Sequence, residues 1–245
     1  MPTPDSLQAR NIALLIDADN ARADSLDDVL TILGDLGTVN IRRAYGNWSK
    51  PGLKGWSGIV HRHAIEPQQQ FDITKGKNAT DMKMTIDAMD LLYGGRVDGF
   101  GIMSSDSDFM PVAMRIRQNG LPVYGFGTAR TPEGFRQACT RFIDVSAVAA
   151  AEAEAQVAST RDAPAPAKPE VGADLVKLLG DAWKASKRDE NGFTTISEMG
   201  QRAANRSSFD ARSYGFSRLS ELLESLPNFE VQKRPGGAIL VKRLR

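Results

Sequence analysis

A chain of 245 residues, 41% hydrophobic and 25% charged, has the length for one large domain or two smaller ones and the composition of a globular protein. No run approaches the roughly 18–20 apolar residues of a membrane span. The start Met-Pro-Thr-Pro-Asp-Ser lacks the basic and apolar regions of a signal peptide, and the single Cys139 excludes an internal disulfide, so a reducing, cytoplasmic setting is expected. Net charge is only +1, with the basic excess gathered in 168–245, a mild bias toward a nucleic-acid partner.

In chain order, the apolar run at 11–17 reads as a buried strand that ends abruptly in Asp17, Asp19 and Asn20. A helix over Ser25–Gly34 and a strand over 38–45 follow. Residues 52–63 read as a helix, with a weak strand before Phe71 and a loop at Lys75–Ala79. Thr80 is a candidate cap for a helix from Asp81 to about Tyr93. A second apolar run, 99–104, ends in Asp106 and Asp108, and a helix at 108–118, a strand at 121–126, a short helix at Glu133–Cys139 and a strand at Arg141–Val145 complete the unit. Such alternation predicts an α/β fold with a mainly parallel sheet covered on both faces. Right-handed crossovers place the carboxyl ends of the strands on one edge, where ligands of open α/β sheets sit.

The chain divides into 1–148, an Ala/Pro-rich linker at 149–170, and 171–245. The Ala-Pro-Ala-Pro-Ala-Lys-Pro stretch favours an extended spacer. In the last segment, Leu175, Val176, Leu178, Leu179, Ala182 and Trp183 follow helical spacing. Thr195 with Glu198 three residues later forms a capping-box pattern for Ile196–Ala204. Phe216, Leu219, Leu222, Leu223 and Leu226 mark another helix face. Phe229–Gln232 and Ala238–Lys242 pair as a hairpin across Pro235-Gly236-Gly237. Three short helices and a hairpin predict a small winged-helix-like α+β domain.

Asp17, Asp19, Asp81, Asp106 and Asp108 form the constellation with chemistry in it. Carboxylates delivered by two neighbouring strand tips repel one another unless a cation lies between them. Hard ions such as Mg²⁺ and Mn²⁺ prefer carboxylate oxygen and retain waters, which suits attack on a phosphodiester. Each acid has a plainer reading: Asp106 or Asp108 as a helix cap, Asp81 as a first-turn acid, Asp19 as a solvated side chain. Three separated clusters, two of them on strand ends, favour the metal reading over caps alone. Asp87 and Asp90 lie further along the 81–93 helix, Asp87 as the better supporting group, and the Asn20 amide is placed to position Asp17 or a water. No zinc pattern or phosphate-binding glycine loop competes.

Ile-Asp-Ala-Asp-Asn at 16–20, Ala-Thr-Asp-Met-Lys-Met-Thr-Ile-Asp-Ala-Met at 79–89 and Ser-Ser-Asp-Ser-Asp-Phe at 104–109 resemble the NYN domain in its LabA-like branch, as do the segments near 125 and 141. The resemblance covers about 10–146. It implies a PIN-like fold and a metal-dependent ribonuclease, with Asp17, Asn20, Asp81, Asp106 and Asp108 as the catalytic site and Asp17, Asp81, Asp106 and Asp108 holding Mg²⁺ or Mn²⁺. One departure is Ser105, where the family often has glycine. The run from Ser213 to Glu224 is similar to the signature of LOTUS domains, also called OST-HTH, which implies a module that binds RNA or protein. Lys75 and Lys77, on the loop into Asp81, and Arg212, Arg218, Lys233 and Arg234 in the second domain are the candidate substrate-binding cations.

The expected function is therefore cleavage of single-stranded or structured RNA by a metal-activated water, without a membrane partner and with protein partners open to the second domain. Two alternatives stand beside it. One is a catalytically weak or inactive regulator that tethers RNA or protein. The other is a haloacid-dehalogenase-like phosphatase with Asp17 as nucleophile and Asp19 as acid–base, disfavoured because Asn20-Ala21-Arg22 supplies no following Thr. His61 and His63 lack a third soft ligand and read as surface residues. Arg42, Arg43, Lys50, Lys54 and Arg62 are further phosphate-binding candidates, with Tyr45, Trp48 and Trp56 as stacking platforms or, equally, core aromatics.

Overall fold

The computed structural model describes residues 10–71, 78–148, 172–234 and 238–244. The chain divides into two compact units between Val145 and Ser146. In the first, the run at 11–17 becomes β1 (Asn11–Asp17), buried along its whole length after Asn11. A strand apolar on both faces must be covered on both faces, and β1 occupies the middle of a sheet. The other strands are β2 (Thr38–Gly46), β3 (Glu66–Gln69), β4 (Gly99–Met103), β5 (Val123–Gly127) and β6 (Arg141–Asp144). Their order is β3-β2-β1-β4-β5-β6, and each neighbouring pair is parallel.

The connecting helices are α1 (Leu26–Gly34), α2 (Ser57–Arg62), α3 (Ala79–Tyr93), α4 (Met110–Gln118) and α5 (Glu133–Ala138). Met84, Ala88 and Leu92 of α3, Val112, Ala113 and Ile116 of α4 and Phe135 of α5 pack with Leu15, Tyr45, Phe100, Ile102 and Phe142 of the sheet in one core. α1 covers the opposite face. A Cβ on Gly101 would stand 2.9 Å from Leu33 and 3.2 Å from Leu14, so the bare backbone of β4 is what admits Leu33. Cys139 is buried in the first core, and burial pushes its thiol up to about 12, which leaves it a small apolar filler.

The chain winds outward from β1 through β2 and β3, then returns by α3 to β4 on the other side of β1. The carboxyl ends of β1 and β4 thus flank the point where the winding direction reverses. Both acid-tipped runs end there.

Several local expectations are corrected. The 52–63 helix is a 3₁₀ turn (Pro51–Trp56) running into α2, and the 108–118 helix begins with a 3₁₀ turn (Ser107–Phe109) before α4. α3 starts at Ala79 with Asn78 in the cap position, so Thr80 does not cap it; its hydroxyl reaches Asp19 at 3.4 Å. Tyr45 and Trp56 are core residues, too buried to stack on a base.

The second unit comprises α6 (Ala173–Ala185), β7 (Thr194–Thr195), α7 (Ile196–Ala204), α8 (Leu219–Glu224), β8 (Phe229–Lys233) and β9 (Ile239–Arg243). Its strands form an antiparallel sheet in the order β7-β9-β8. Leu175, Leu179, Met199, Phe216, Leu222, Leu223 and Val241 make its core. The Thr195 hydroxyl caps α7 by accepting from the Glu198 N–H at 3.2 Å. The Glu198 carboxylate turns to Lys187 N–H and the Arg202 guanidinium, both at 2.9 Å, so the capping box is made in one half. Gly215, at φ +74°, ends a 3₁₀ turn (Ala211–Tyr214) in a left-handed conformation that glycine adopts without strain. The 149–170 linker, the Pro235–Gly237 turn, Lys75 and Lys77 lie outside the described residues.

Candidate metal centre

Asp17 is the last residue of β1 and has no exposed surface. The chain folds back immediately, with Asn20 and Ala21 N–H groups donating to the Asp17 carbonyl at 3.2 and 2.8 Å. That turn aims the Asn20 amide at Asp17 Oδ2, to which it donates at 3.0 Å. From the neighbouring strand end, Ser104 Oγ donates to the same oxygen at 2.7 Å. Asp17 Oδ1 is buried with no hydrogen-bond partner among the described residues. Burial raises the Asp17 carboxyl above its ordinary value, the Ser104 and Asn20 hydrogen bonds pull it back, and the Asp19 charge adds to the rise.

Ser104 joins the two strand ends. Its N–H donates to the Phe126 carbonyl at 3.0 Å, which anchors it to β5, and its hydroxyl accepts from the Asp106 N–H at 3.0 Å. Asp106 then caps the 3₁₀ turn, with Oδ1 accepting from the Asp108 N–H at 2.9 Å. Asp108 accepts from the Asn78 side-chain amide, a tie between this loop and the start of α3. Ser105 is accommodated without a left-handed backbone, and its Oγ accepts from the Thr128 N–H at 3.2 Å.

α3 brings the third acid. Asp81 lies in its first turn, and Asp81, Asp106 and Asp108 each offer one oxygen within 4.8 Å of the others. The Asp81 carboxyl is pushed up to about 6, first by burial and then by the charges of Asp17, Asp106, Asp108 and Asp19. Lys50 Nζ stands 3.6 Å from Asp19 Oδ1, at the side of the cluster. Carboxylates held this close, two of them half-buried, are stable when a cation shares them. The donor set is all carboxylate oxygen, hard and suited to Mg²⁺ or Mn²⁺; Asp17, also expected as a ligand, is not among the three acids whose oxygens converge, and its unpartnered Oδ1 is buried.

Other candidates fall elsewhere. Asp87 accepts from the Tyr45 hydroxyl at 3.0 Å and stands 3.5 Å from Arg43, which also holds Glu66, so it belongs to a network under the sheet edge. Arg42 donates to the carbonyls of Val39 and His63. His63 pairs with Asp27 at 3.2 Å, and exposed His61 sits on α2. In the second unit Arg212 lies 3.9 Å from Asp210, Lys233 3.1 Å from Glu224 and Arg234 3.2 Å from Asp189. Arg218 is exposed at the cap of α8 and forms no ion pair among the described residues. Ser104 and Asn78 are supporting residues that pattern reading passed over. Ser104 opens the Ser-Ser-Asp-Ser-Asp-Phe motif at 104–109, which is its signal in the sequence; Asn78 has none.

A doubly wound parallel sheet with carboxylates gathered at its switch point, followed by a small helix-and-hairpin module, defines a PIN-like α/β domain with a winged-helix-like companion. Residues 11–147 match the NYN domain and 169–241 match the OST-HTH/LOTUS domain, and the chain belongs to the NYN family. An uncharacterized protein of Methanocaldococcus jannaschii is 28% identical over 128 residues, which make up 48% of this chain and 50% of that one. The chain thus spans about half the length of the curated relative it matches. Among solved structures, a protein of unknown function from Vibrio parahaemolyticus is 20% identical over 59% of this chain and 96% of that one, with a TM-score of 0.47. MurG of Acinetobacter baumannii is 12% identical over 82% and 64%, with a TM-score of 0.37.

Proposed function

We propose that the protein is a metal-dependent endoribonuclease that hydrolyses RNA phosphodiesters with water as nucleophile, and that its second unit binds the same RNA. The observation that carries this reading is the convergence of Asp81, Asp106 and Asp108 within 4.8 Å beside the buried Asp17. Asp81, Asp106, Asp108 and the buried, unpartnered oxygen of Asp17 are the groups that would hold Mg²⁺ or Mn²⁺. Such an ion would lower the pKa of a bound water and offset charge on the phosphate.

The chain's own residues supply the positioning. Ser104 and Asn20 hold Asp17 by one oxygen, which fixes the direction of the other. The Asp106-to-Asp108 hydrogen bond and the Asn78 tie keep the loop carboxylates facing α3. Carboxylates held by fixed donors need little rearrangement on binding a cation, which favours a defined geometry at the reacting phosphate. The phosphatase alternative is disfavoured, because an Asp17 with no exposed surface and one oxygen already bonded twice cannot readily attack a phosphate. Lys75, Lys77, Arg212, Arg218, Lys233 and Arg234 remain the proposed RNA-binding cations, and of the described four Arg218 is the one with no ion pair among the described residues.

The test is cleavage of mixed single-stranded and structured RNA with Mg²⁺ or Mn²⁺ by the wild type and by Asp17→Asn and Asp106→Asn. Metal-dependent cleavage lost in both folded variants supports the site. Undiminished cleavage by either variant overturns the assignment, and binding without cleavage under every metal points to a regulator.

A further inference from the structure

A cavity of about 540 Å³ opens directly off the acidic cluster, between α3 and the start of α4. Its size falls within the roughly 300–1,000 Å³ of ordinary ligand pockets. Its lining is mixed: Asp81 and Asp108 with Asn78, Thr85 and Ser107, and the apolar Met82, Ile86, Met110 and Pro111. Met82 and Ile86 are 66% and 57% exposed and Met110 is 37% exposed. They stand apart from the face of α3 that fills the core, which is made by Met84, Ala88 and Leu92. Large apolar side chains one turn apart on an open face, bordering a polar centre, mark a binding surface.

The two kinds of lining point to the occupant. The carboxylates would take an anionic group through a shared cation. The apolar side chains suit something flat and apolar. A nucleotide carries both features: a phosphate and an unpaired base. Thioethers are polarizable and adapt to the face of a ring, and a base in a duplex has both faces covered and cannot enter.

We propose that this cavity is a base subsite, in which Met82, Ile86 and Met110 receive the unpaired base of a nucleotide adjoining the scissile phosphate, so that the first unit selects single-stranded RNA. This rests on the nuclease reading of the acidic cluster. Asn78, Thr85 and Ser107 also line the cavity and offer polar groups to the edge of such a base.

The test uses the full chain with Mn²⁺ and a short single-stranded RNA carrying one photoreactive 4-thiouridine, beside a matching strand with an abasic nucleotide next to the cleaved bond. Cross-links are expected in peptides covering 79–93 or 110–118. Met82→Ala combined with Ile86→Ala should lower cross-linking and kcat/KM for the intact strand about tenfold, the scale of removing the platform under one base. The abasic strand, already slow with the wild type, should lose nothing further. Cross-links confined to other peptides, or equal loss on intact and abasic strands, overturn the subsite whether or not cleavage occurs. Failure of the nuclease reading looks different: cross-links through 79–93 or 110–118 with no product under Mg²⁺ or Mn²⁺. Unchanged melting of the double variant confirms that its loss is not unfolding.

Discussion

Ser104 Oγ donates to Asp17 Oδ2 at 2.7 Å, bridging the ends of two adjacent parallel strands 87 positions apart in the chain. The same hydroxyl accepts from the Asp106 N–H, so a single small side chain couples the buried acid to the loop acids. Ser104→Ala leaves the Asp106 N–H without this acceptor and Asp17 Oδ2 with one donor in place of two. A stability loss of about 1–3 kcal/mol is expected, the cost of unsatisfied buried polar groups. Urea unfolding measures it, and RNA cleavage should fall with it because Asp17 and Asp106 are no longer held together. Wild-type stability and activity in the variant would remove Ser104 from the account.

The charge on Asp81 makes the metal-free protein sensitive to pH. Its carboxyl ionises at about 6 when folded, against 3.8 for an ordinary aspartate. Between these values the folded state holds the extra proton. The stability linked to that proton is complete below the lower value and is lost as pH rises through the upper one. Metal-free Asp81→Asn should therefore melt higher than wild type near pH 7.5, with the difference closing toward pH 4. Asp81 is only half-buried, so solvent screening holds the effect to the order of 1 kcal/mol. A wild type that is the more stable near pH 7.5 without metal contradicts the repulsion described here.

Divalent cations should reverse that instability. A ligand that binds only the folded state at 100 times its Kd stabilises by about 2.7 kcal/mol. Melting scans with Mn²⁺ or Mg²⁺ should show a saturable rise in wild type that is reduced in Asp81→Asn, Asp106→Asn and Asp108→Asn. Chelation should restore the metal-free curve. A rise of equal size in all four proteins would place the cation elsewhere.

In the second unit, Arg218 is expected to matter most among the described cations. Arg212, Lys233 and Arg234 already have acidic neighbours, whereas Arg218 is exposed and unpaired among the described residues. Arg218→Glu should weaken RNA binding by the full chain more than Lys233→Glu or Arg234→Glu. The slope of log K against log salt should shrink by about 0.7 for each phosphate of single-stranded RNA that is no longer neutralised. Equal effects from all three would indicate a diffuse field rather than a specific role for Arg218.

Much of this architecture was legible in the chain. Apolar runs capped by acids located β1 and β4, and strand–helix alternation implied the parallel sheet with its strand ends on one edge. The face of α6 followed from apolar spacing and the start of α7 from its capping pattern, whereas Phe216 and Leu226, read as part of the next helix face, reach the same core from outside α8. Tertiary pairing decided the rest. Thr80 has the chemistry of a cap, but Asn78 begins the helix and Thr80 turns to Asp19. Asp87 sits on the same helix as Asp81, yet Tyr45 and Arg43, distant in sequence, claim it. Ser104 shows no pattern of its own, because its role exists only once β1 and β4 lie side by side. The exposed Met82 and Ile86 break the apolar–polar division of α3, a signal visible in the chain but without meaning until the cavity beside them is seen.

The most direct test of the central claim is cleavage of an RNA strand with Mn²⁺ in water enriched in ¹⁸O, followed by mass spectrometry of the products. The account predicts metal-dependent cleavage with one ¹⁸O atom in the terminal phosphate of the product, abolished by Asp106→Asn. Products ending in an unlabelled cyclic phosphate, or cleavage that persists in Asp106→Asn or after chelation, would contradict it.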